Sequence, residues 1–248
     1  MNPIAAPLSV ASRRLPGLRV AVTGGTSGLG LALVEEFLAR QAAVAFVARH
    51  RDGVERVASR YPGSHGITGD VSVKDDIYPI AVQITGELGG LDVLIHNASA
   101  LGQVPLALLG DTDCESLERA LATNLVGPFR LTKALLGALA ASARAGRGAV
   151  VLTVSSDAAL NPYPRWGAYG ASKAALHHLT RIWNEELAPE GIRFLSADPG
   201  DMDTALHALA VPEDDPASLK RPADAAREVV DAIADALPQP AASGDRRA

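Results

Sequence analysis

Tyr169 and Lys173 stand four residues apart in a segment, Tyr169 to about Leu187, whose pattern predicts a helix. Side chains at i and i+4 share one helix face, so the phenol and the ammonium group project into the same space. A nearby cation favours the phenolate. Lowering the pKa of the phenol by about 3 units would require the phenolate to be stabilised by about 4 kcal/mol relative to the phenol. We expect Lys173 to lower the pKa of Tyr169, which then exchanges a proton with a substrate oxygen. The alternative is a surface pair, because this spacing is common by chance.

Two adjacent serines, Ser155 and Ser156, end the predicted strand that precedes this helix. A hydroxyl at the end of a strand can donate a hydrogen bond to a substrate oxygen and hold it against the phenol as a neutral oxyanion stabiliser. The residue types alone leave both serines open for this role.

A glycine-rich turn, TGGTSGLG at residues 23–30, joins a predicted strand (18–23) to a predicted helix (29–40). Glycines permit positive φ and a close approach of the backbone to a pyrophosphate, and the helix N-terminus offers unpaired N–H donors. Taken alone, the turn could be no more than a tight connection. Its place between the first strand and the first helix predicts a dinucleotide site.

Arg49 follows the second predicted strand (43–48), about 20 residues after the glycines, where dinucleotide-binding folds read the adenosine ribose. No carboxylate is present there to bind a 2′-hydroxyl. An arginine can pair with a 2′-phosphate, for about 1.5–3 kcal/mol. The sequence therefore favours NADP over NAD, with an ordinary solvated arginine as the alternative.

Apolar strands alternate with helices along the whole chain, and further strands are predicted at 66–69, 91–96, 149–155 and 192–197. The longest helix is predicted over 114–144, with Thr112 and Glu115 as a capping box. This alternation predicts one doubly wound α/β domain of the Rossmann type over residues 18–237, with a parallel sheet and helices on both faces. Ligands of such sheets bind beyond the carboxyl ends of the strands.

Composition narrows the classes of function. The net charge of −5 and the lack of a Lys/Arg run argue against nucleic acid or an anionic membrane as partner. No stretch is apolar enough for a membrane helix. Cys114 is the only cysteine and has no neighbours at metal-ligand spacing, so we expect a cytoplasmic protein without a metal site. Residues 1–17 are expected to form a flexible extension, with organelle targeting left open, and residues 238–248 a disordered tail.

Together these motifs resemble the classical short-chain dehydrogenase/reductase family over residues 18–237. Asp70-Val71 is similar to the family's adenine-contacting pair, and HNAS (96–99) is similar to its NNAG segment. Asn124 resembles the family's mid-helix asparagine, which anchors a water in the proton relay. PGDMDT (199–204) resembles the segment that contacts the nicotinamide amide. Position before the tyrosine selects Ser156 over Ser155. The resemblance implies a hydride transfer between NADP(H) and a carbonyl or alcohol carbon of a small molecule, with Lys173 also binding the nicotinamide ribose.

The resemblance assigns two sets of site residues. The expected catalytic residues are Asn124, Ser156, Tyr169 and Lys173. The expected cofactor-binding residues are Thr23, Gly24, Thr26, Ser27, Gly28, Leu29, Gly30, Arg49, Asp70, Val71, Asn97, Ala98, Tyr169, Lys173, Pro199, Gly200, Met202 and Thr204.

Three departures from the family pattern bear on these expectations. His96 and Ser99 replace an asparagine and a glycine of NNAG, which predicts a changed pocket edge with binding retained. The helix predicted around 224–237 runs into the tail, without the family's last strand, so a homodimer through helices 114–144 and 169–187 is expected rather than a tetramer. One of Tyr163, Arg165 and Trp166 is expected to touch substrate, and the acidic run 213–215 is either a solvated loop or repels anionic substrates.

Two other classes of function occur on this or a related scaffold. A catalytically silent NAD(P)-binding regulator on the same scaffold has no use for Ser156, Tyr169, Lys173 and Asn124. An epimerase or dehydratase of a related scaffold carries a differently spaced glycine turn and a larger substrate domain, and this chain has neither.

Overall fold

A six-stranded parallel sheet, in the order β3-β2-β1-β4-β5-β6, forms the centre of the computed structural model, which describes residues 13–238. The strands are β1 (Arg19–Thr23), β2 (Ala43–Ala48), β3 (Ser64–Thr68), β4 (Val93–His96), β5 (Ala149–Val154) and β6 (Ile192–Ala197). The strand order reverses between β1 and β4, and at such a switch point a crevice opens beyond the carboxyl ends of the strands. The predicted fold class is confirmed.

Helices connect these strands and cover both faces of the sheet. They are α1 (Gly28–Ala39), α2 (Arg51–Arg60), α3 (Ile77–Leu88), α4 (Cys114–Leu121), α5 (Gly127–Arg144), α6 (Gly167–Leu187), α7 (Ala205–Ala210) and α8 (Pro222–Ala236). None of the helices between residues 13 and 238 is long and apolar enough to cross a lipid bilayer.

The core consists of two apolar layers, one on each face of the sheet. Because neighbouring side chains of a strand point to opposite faces, Val20 and Val22 of β1 join the layer formed with α1 and α8, whereas Ala21 joins the layer formed with α3 and α5. Both faces are covered, which explains why the strands are continuously apolar rather than alternating. The sheet is thereby held rigid beneath the crevice.

The helix predicted over 114–144 has these limits, but a wider turn at Ala122–Val126 divides it. There the N–H of Gly127 donates to the carbonyl of Ala122, five residues back. Pro128 has no N–H to donate to the carbonyl of Asn124, which accounts for the break in α-helical pairing. Gly127 also fits closely against the loop after β3, because a Cβ there would lie 2.5 Å from the carbonyl oxygen of Val71.

The predicted capping box at the start of α4 is wrong. The N-cap residue is Asp113, and it makes no side-chain capping hydrogen bond. The Thr112 hydroxyl donates instead to the carbonyl of Leu108 at 3.0 Å, one turn back. A threonine beside a helix start can bond to either neighbouring turn, and here the preceding turn is the partner.

The predicted domain limits at residues 17 and 238 stay predictions. Leu15 is buried in the core, its N–H donates to the carbonyl of Arg40 at 2.7 Å, and Arg13 donates to the carbonyl of Ala234 at 2.9 Å. The segment 13–17 therefore packs on the domain. Residues 1–12 of the expected extension and 239–248 of the expected tail lie outside the described residues.

Candidate active site

A cavity of about 510 Å³ lies beyond the carboxyl ends of the strands, at the switch point between β1 and β4. Its walls come from the loops after β1, β2, β3, β4, β5 and β6 and from the starts of α1, α6 and α7. It is lined by all of the predicted site residues except Thr23 and Asn124. Residues far apart in the chain are thus brought to one site, as the parallel topology requires.

The glycine turn approaches its surroundings too closely for any side chain. A Cβ on Gly30 would lie 2.1 Å from the carbonyl oxygen of Gly24 and 2.5 Å from Nδ2 of Asn97. Gly28 has φ +50°, in the left-handed region that favours glycine, and begins α1. The first turn of α1 carries no acidic side chain, so its free N–H groups face the cavity uncompensated. This cradle fits a pyrophosphate.

Thr23 and Asn97 tie this turn to the loop after β4. The Thr23 hydroxyl accepts hydrogen bonds from the N–H groups of Asn97 at 3.0 Å and Ala98 at 3.1 Å, and Asn97 Nδ2 donates to the carbonyl of Thr23 at 2.9 Å. Thr23 is almost fully buried and does not line the cavity. It therefore positions the loops that form the cradle.

Arg49 and Asp70 also line the cavity. Arg49 follows β2 and its side chain is exposed, while Asp70 follows β3. The Asp70 carboxylate accepts hydrogen bonds from the N–H of Ser72 at 2.9 Å and from its hydroxyl at 2.7 Å, and the Asp70 N–H donates to Asp76 at 2.8 Å. The Asp70 side chain thus fixes its own loop, and Arg49 remains available to an anion.

Ser156, Tyr169 and Lys173 all line the cavity. The N-terminal end of α6 carries the phenol and the ammonium group, and β5 ends beside them. The Nζ atom of Lys173 donates to the carbonyl of Val154 at 2.7 Å and lies 5.5 Å from the centroid of the Tyr169 ring. The predicted juxtaposition of these two side chains is present.

The expectation that Lys173 makes Tyr169 acidic is wrong for this arrangement. Burial raises the pKa of Tyr169 to about 12, against the opposing effect of the nearby Ser156 and Ser99 hydroxyls. Burial likewise lowers the pKa of Lys173 to about 8, partly offset by Asp198. Desolvation disfavours the charged form of each group, and it is the largest cause of both shifts. At neutral pH the phenol is protonated.

Ser156 has extended backbone, and its hydroxyl is at the edge of the cavity. The Ser156 oxygen accepts from the N–H of Ala158 at 3.2 Å and donates to Oδ1 of Asp157 at 3.2 Å. Ser155 is also at the cavity wall, but it is more deeply buried and its N–H pairs with the carbonyl of Ala197 at 2.7 Å. Selection of Ser156 as the substrate-binding serine stays a prediction.

Asn124 lies behind the cavity, in the wide turn between α4 and α5, and is almost fully buried. Its Nδ2 donates to the carbonyl of Ala100 and to the hydroxyl of Ser172, both at 2.8 Å. Its Oδ1 accepts from the Ala100 N–H at 2.8 Å and from the Ser99 hydroxyl at 3.3 Å. The side-chain amide therefore anchors α6 and the loop after β4 to each other.

The segment after β6 forms one wall of the cavity through Pro199, Gly200, Met202 and Thr204. Met202 pairs with Lys220 in an isolated parallel bridge. The Thr204 hydroxyl caps α7 by accepting from the His207 N–H at 3.2 Å. This wall also approaches the start of α1, because a Cβ on Gly28 would lie 3.2 Å from Cγ2 of Thr204.

Several cavity residues were not predicted from the sequence. Leu101, Leu206 and Ala210 give the cavity an apolar wall, and of the three aromatic or basic candidates before Tyr169, Trp166 lines it. Asp157, Asp198, Asp201 and His207 also line it. Asp157 and Asp198 could have been found, because each directly follows a residue already placed at the end of a strand. Of the acidic run, Asp214 instead pairs with His207 at 2.8 Å.

No group of three or more His, Cys, Asp or Glu side chains in the described part of the chain, residues 13–238, is arranged to hold a metal ion. Cys114 is exposed at the start of α4, away from the cavity.

The model of one protein family, the short chain dehydrogenases, matches residues 19–215. The chain belongs to this family. It is thereby an oxidoreductase, and the match covers every site residue described above. A similar relative, oxidoreductase asL5 of Sarocladium schorii, is 32% identical over 82% of this chain and 79% of its own length. The glucose 1-dehydrogenase of Gluconobacter oxydans is 31% identical over 89% of this chain and 85% of its own.

Solved structures of short chain dehydrogenases show the same architecture. One from Shigella flexneri, complexed with NADP, has a TM-score of 0.80 and 26% identity, covering 86% of this chain and 90% of the other. One from Escherichia coli CFT073, complexed with NADPH, has a TM-score of 0.80 and 27% identity, covering 86% and 89%.

Proposed function

We propose that the protein is an NADP(H)-dependent carbonyl reductase or alcohol dehydrogenase in which Tyr169 is the proton donor and acceptor. The observation that carries the proposal is that Ser156, Tyr169 and Lys173 line the same cavity as the glycine cradle. A binding protein without catalytic activity would need the cradle but not the three polar groups.

The residues around the cradle fit the dinucleotide. Gly24, Gly28 and Gly30 leave room for its pyrophosphate, and the start of α1 supplies N–H donors. Arg49 would bind the 2′-phosphate, and the related structures complexed with NADP or NADPH agree with this choice. When bound, the cofactor supplies or accepts the hydride.

The protein's own side chains bind the substrate oxygen and exchange a proton with it. Because the Tyr169 phenol is protonated at neutral pH, it can donate its proton to the oxygen of a carbonyl compound during reduction. On substrate binding, the Ser156 hydroxyl would turn its single proton from Asp157 to that oxygen, and this second hydrogen bond would hold the reacting carbon in place. Lys173 stabilises the phenolate that remains, and also binds the ribose hydroxyls of the cofactor. In the direction of oxidation, the same groups act in reverse.

We also propose a homodimer that works in the cytoplasm. Phe129 on α5 and Ile182 on α6 are exposed apolar side chains on the two helices expected to pair. The single cysteine fits a reducing compartment. Light scattering on the purified protein, repeated with Ile182→Glu, tests the dimer.

The decisive experiment is a screen of NADPH oxidation over ketones, aldehydes and keto-esters, repeated with NADH. We expect turnover with NADPH and a smaller kcat/KM with NADH. Tight NADPH binding without turnover of any carbonyl compound would favour the regulatory alternative, and absence of binding would contradict the proposal altogether.

A further inference from the structure

The end of the cavity where the substrate would lie has three carboxylates on its walls. Asp157 follows Ser156, and Asp198 and Asp201 flank the Pro199-Gly200 turn after β6. The carboxylates of Asp198 and Asp157 are close enough to Tyr169 to raise the pKa of its phenol further. A substrate carbonyl held by Tyr169 and Ser156 therefore lies within a field of negative charge.

The cationic groups among the described residues here offset that negative charge only in part. Lys173 is almost fully buried, and its ammonium donates to the carbonyl of Val154 at 2.7 Å. His207 Nε2 is bonded to Asp214 at 2.8 Å, and its Nδ1 lies 3.8 Å from Asp201. Even a protonated His207 thus has two carboxylates of its own to neutralise.

Asp157 is the most firmly placed of the three carboxylates. Its Oδ2 accepts a hydrogen bond from the Tyr163 hydroxyl at 2.7 Å, and its Oδ1 accepts one from the Ser156 hydroxyl at 3.2 Å. Both oxygens are held, so the charge stays beside the hydroxyl that would bind the substrate oxygen. A positive or hydrogen-bond-donating group next to the reacting carbonyl would meet this carboxylate directly.

The remaining wall is apolar. Leu101, Trp166, Leu206 and Ala210 line the cavity there, and Trp166 packs edge-on against the Tyr169 ring with their centroids 5.6 Å apart. This surface suits an aromatic or aliphatic body on the substrate.

From this geometry we propose that the site selects neutral or cationic carbonyl compounds with an apolar body and rejects anionic ones, with Asp157 as the principal determinant. The inference rests on the proposed function, because it concerns the substrate of that same site. An anionic group on the substrate would be placed near a like charge in a partly desolvated cavity, whereas an ammonium group would be attracted.

Three phenyl ketones test the proposal, because they share one apolar body and differ in charge: benzoylformate, methyl benzoylformate and α-aminoacetophenone. We expect kcat/KM with NADPH to be at least about tenfold higher for the ester and the ammonium ketone than for benzoylformate. Added salt should reduce these differences by screening. If turnover of a phenyl ketone is too slow to measure, inhibition constants of the same three compounds against the best carbonyl substrate replace kcat/KM.

Asp157→Asn removes the charge and keeps the shape of the side chain. It should raise kcat/KM for benzoylformate relative to α-aminoacetophenone by about tenfold. Asp201→Asn should change the ratio in the same direction by less, since the contact of Asp201 is with His207, whereas Asp157 is bonded to Ser156. Glu190→Gln is the matched control, because it removes one exposed carboxylate just before β6, at the amino end of the strand and so opposite the cavity. It should leave the ratio unchanged.

The outcomes separate the two proposals. The charge selection is overturned if the ratio of kcat/KM for benzoylformate to that for α-aminoacetophenone responds neither to Asp157→Asn nor to salt. It is also overturned if the site prefers benzoylformate. Either result leaves Tyr169-dependent turnover intact. Loss of the proposed function itself would show as a protein that binds no NADPH or that turns over no carbonyl compound at all.

Discussion

The ammonium nitrogen of Lys173 lies under the ring of Tyr169, 5.5 Å from its centroid, and is bonded to the end of β5 through the carbonyl of Val154. The ammonium group is thus held between the ring and the end of the strand. Burial of the phenol, which raises its pKa to about 12, keeps it protonated at neutral pH, so its role in reduction is that of an acid.

Tyr169→Phe removes the acid while keeping the ring that packs against Trp166. We expect turnover to fall by about 10²- to 10⁴-fold, with NADPH affinity within a few-fold of the original. Stopped-flow or steady-state NADPH oxidation measures the first effect and fluorescence titration the second. Tyr78→Phe, at an exposed tyrosine on α3, is the matched control. Retention of most activity by Tyr169→Phe would refute the mechanism.

The rate of reduction should decline as pH rises through about 8. Burial lowers the pKa of Lys173 to that value, so its ammonium is charged below pH 8 and loses its proton above it. The phenol, with its pKa raised to about 12, stays protonated over the same range. A profile of kcat/KM against pH for the free enzyme should show the decline, and a flat profile from pH 7 to 10 would contradict it.

Arg49→Asp should move cofactor preference from NADP toward NAD. Loss of one charge-assisted hydrogen bond to the 2′-phosphate, and its replacement by a repulsive carboxylate, predicts a change of at least about ten- to a hundredfold in the ratio of kcat/KM values. Arg51→Asp is the matched control, because Arg51 is two residues on and already paired with Glu55 at 2.7 Å. If only Arg51→Asp changes the ratio, the wrong arginine has been assigned.

Gly30→Ala should weaken cofactor binding. The added methyl would lie 2.1 Å from the carbonyl oxygen of Gly24, and neither that backbone nor Asn97 can move without opening the cradle. Isothermal titration with NADPH should show at least about a tenfold loss of affinity. Gly86→Ala provides the contrast, because Gly86 lies within α3 with nothing near its Cβ position, and it should stabilise the fold by about 0.5–1 kcal/mol.

Asp92, at the end of the sheet opposite the cavity, should make the fold sensitive to acid. Its buried carboxylate accepts hydrogen bonds from Arg19 at 2.7 Å, Arg147 at 3.1 Å and Ser142, and these contacts lower its pKa to about 2 despite burial. A lowered pKa stabilises the fold above the ordinary carboxyl pKa of about 4, and this stabilisation is lost as pH falls from 4 toward 2.

Asp92→Ala should cost about 3–5 kcal/mol in urea unfolding at neutral pH, because it leaves the guanidinium of Arg19 without its partner. The melting temperature of the variant should depend less on pH below 4 than that of the parent. An equal slope for both would show that other carboxylates dominate acid unfolding.

The predicted bounds of two strands coincide with the structure, β2 at Ala43–Ala48 and β6 at Ile192–Ala197. The agreement does not depend on burial alone, because β2 is buried in its middle whereas β6 is only partly buried. β3 was placed two residues late. Its Ile67 is well buried, but pairing with β2, Val47 opposite Ile67, decides where it begins. Pairing between strands cannot be predicted from the local sequence of one strand.

For the candidate site too, the sequence predicts local patterns but not the contacts between distant segments. The glycine turn and the Tyr169–Lys173 spacing are local patterns, and the structure places both at the cavity. The direction of the pKa shift of Tyr169 was wrong, because it depends on how deeply residues from distant loops bury the phenol. The sequence does not predict Asp157 as a site residue for a similar reason. Its place beside Ser156 depends on the hydrogen bond from Tyr163.

The parallel bridge between Met202 and Lys220 has a consequence for how this scaffold can diversify. It brings together the two ends of the intervening stretch, 203–219, so that stretch is an inserted loop closed at its base. Its contents, which include α7 and the apolar side chains facing the cavity, can be exchanged or lengthened while the sheet, the glycine cradle and Tyr169 stay in place. A chimera carrying a relative's 203–219 segment would therefore inherit a new substrate range on an unchanged catalytic frame.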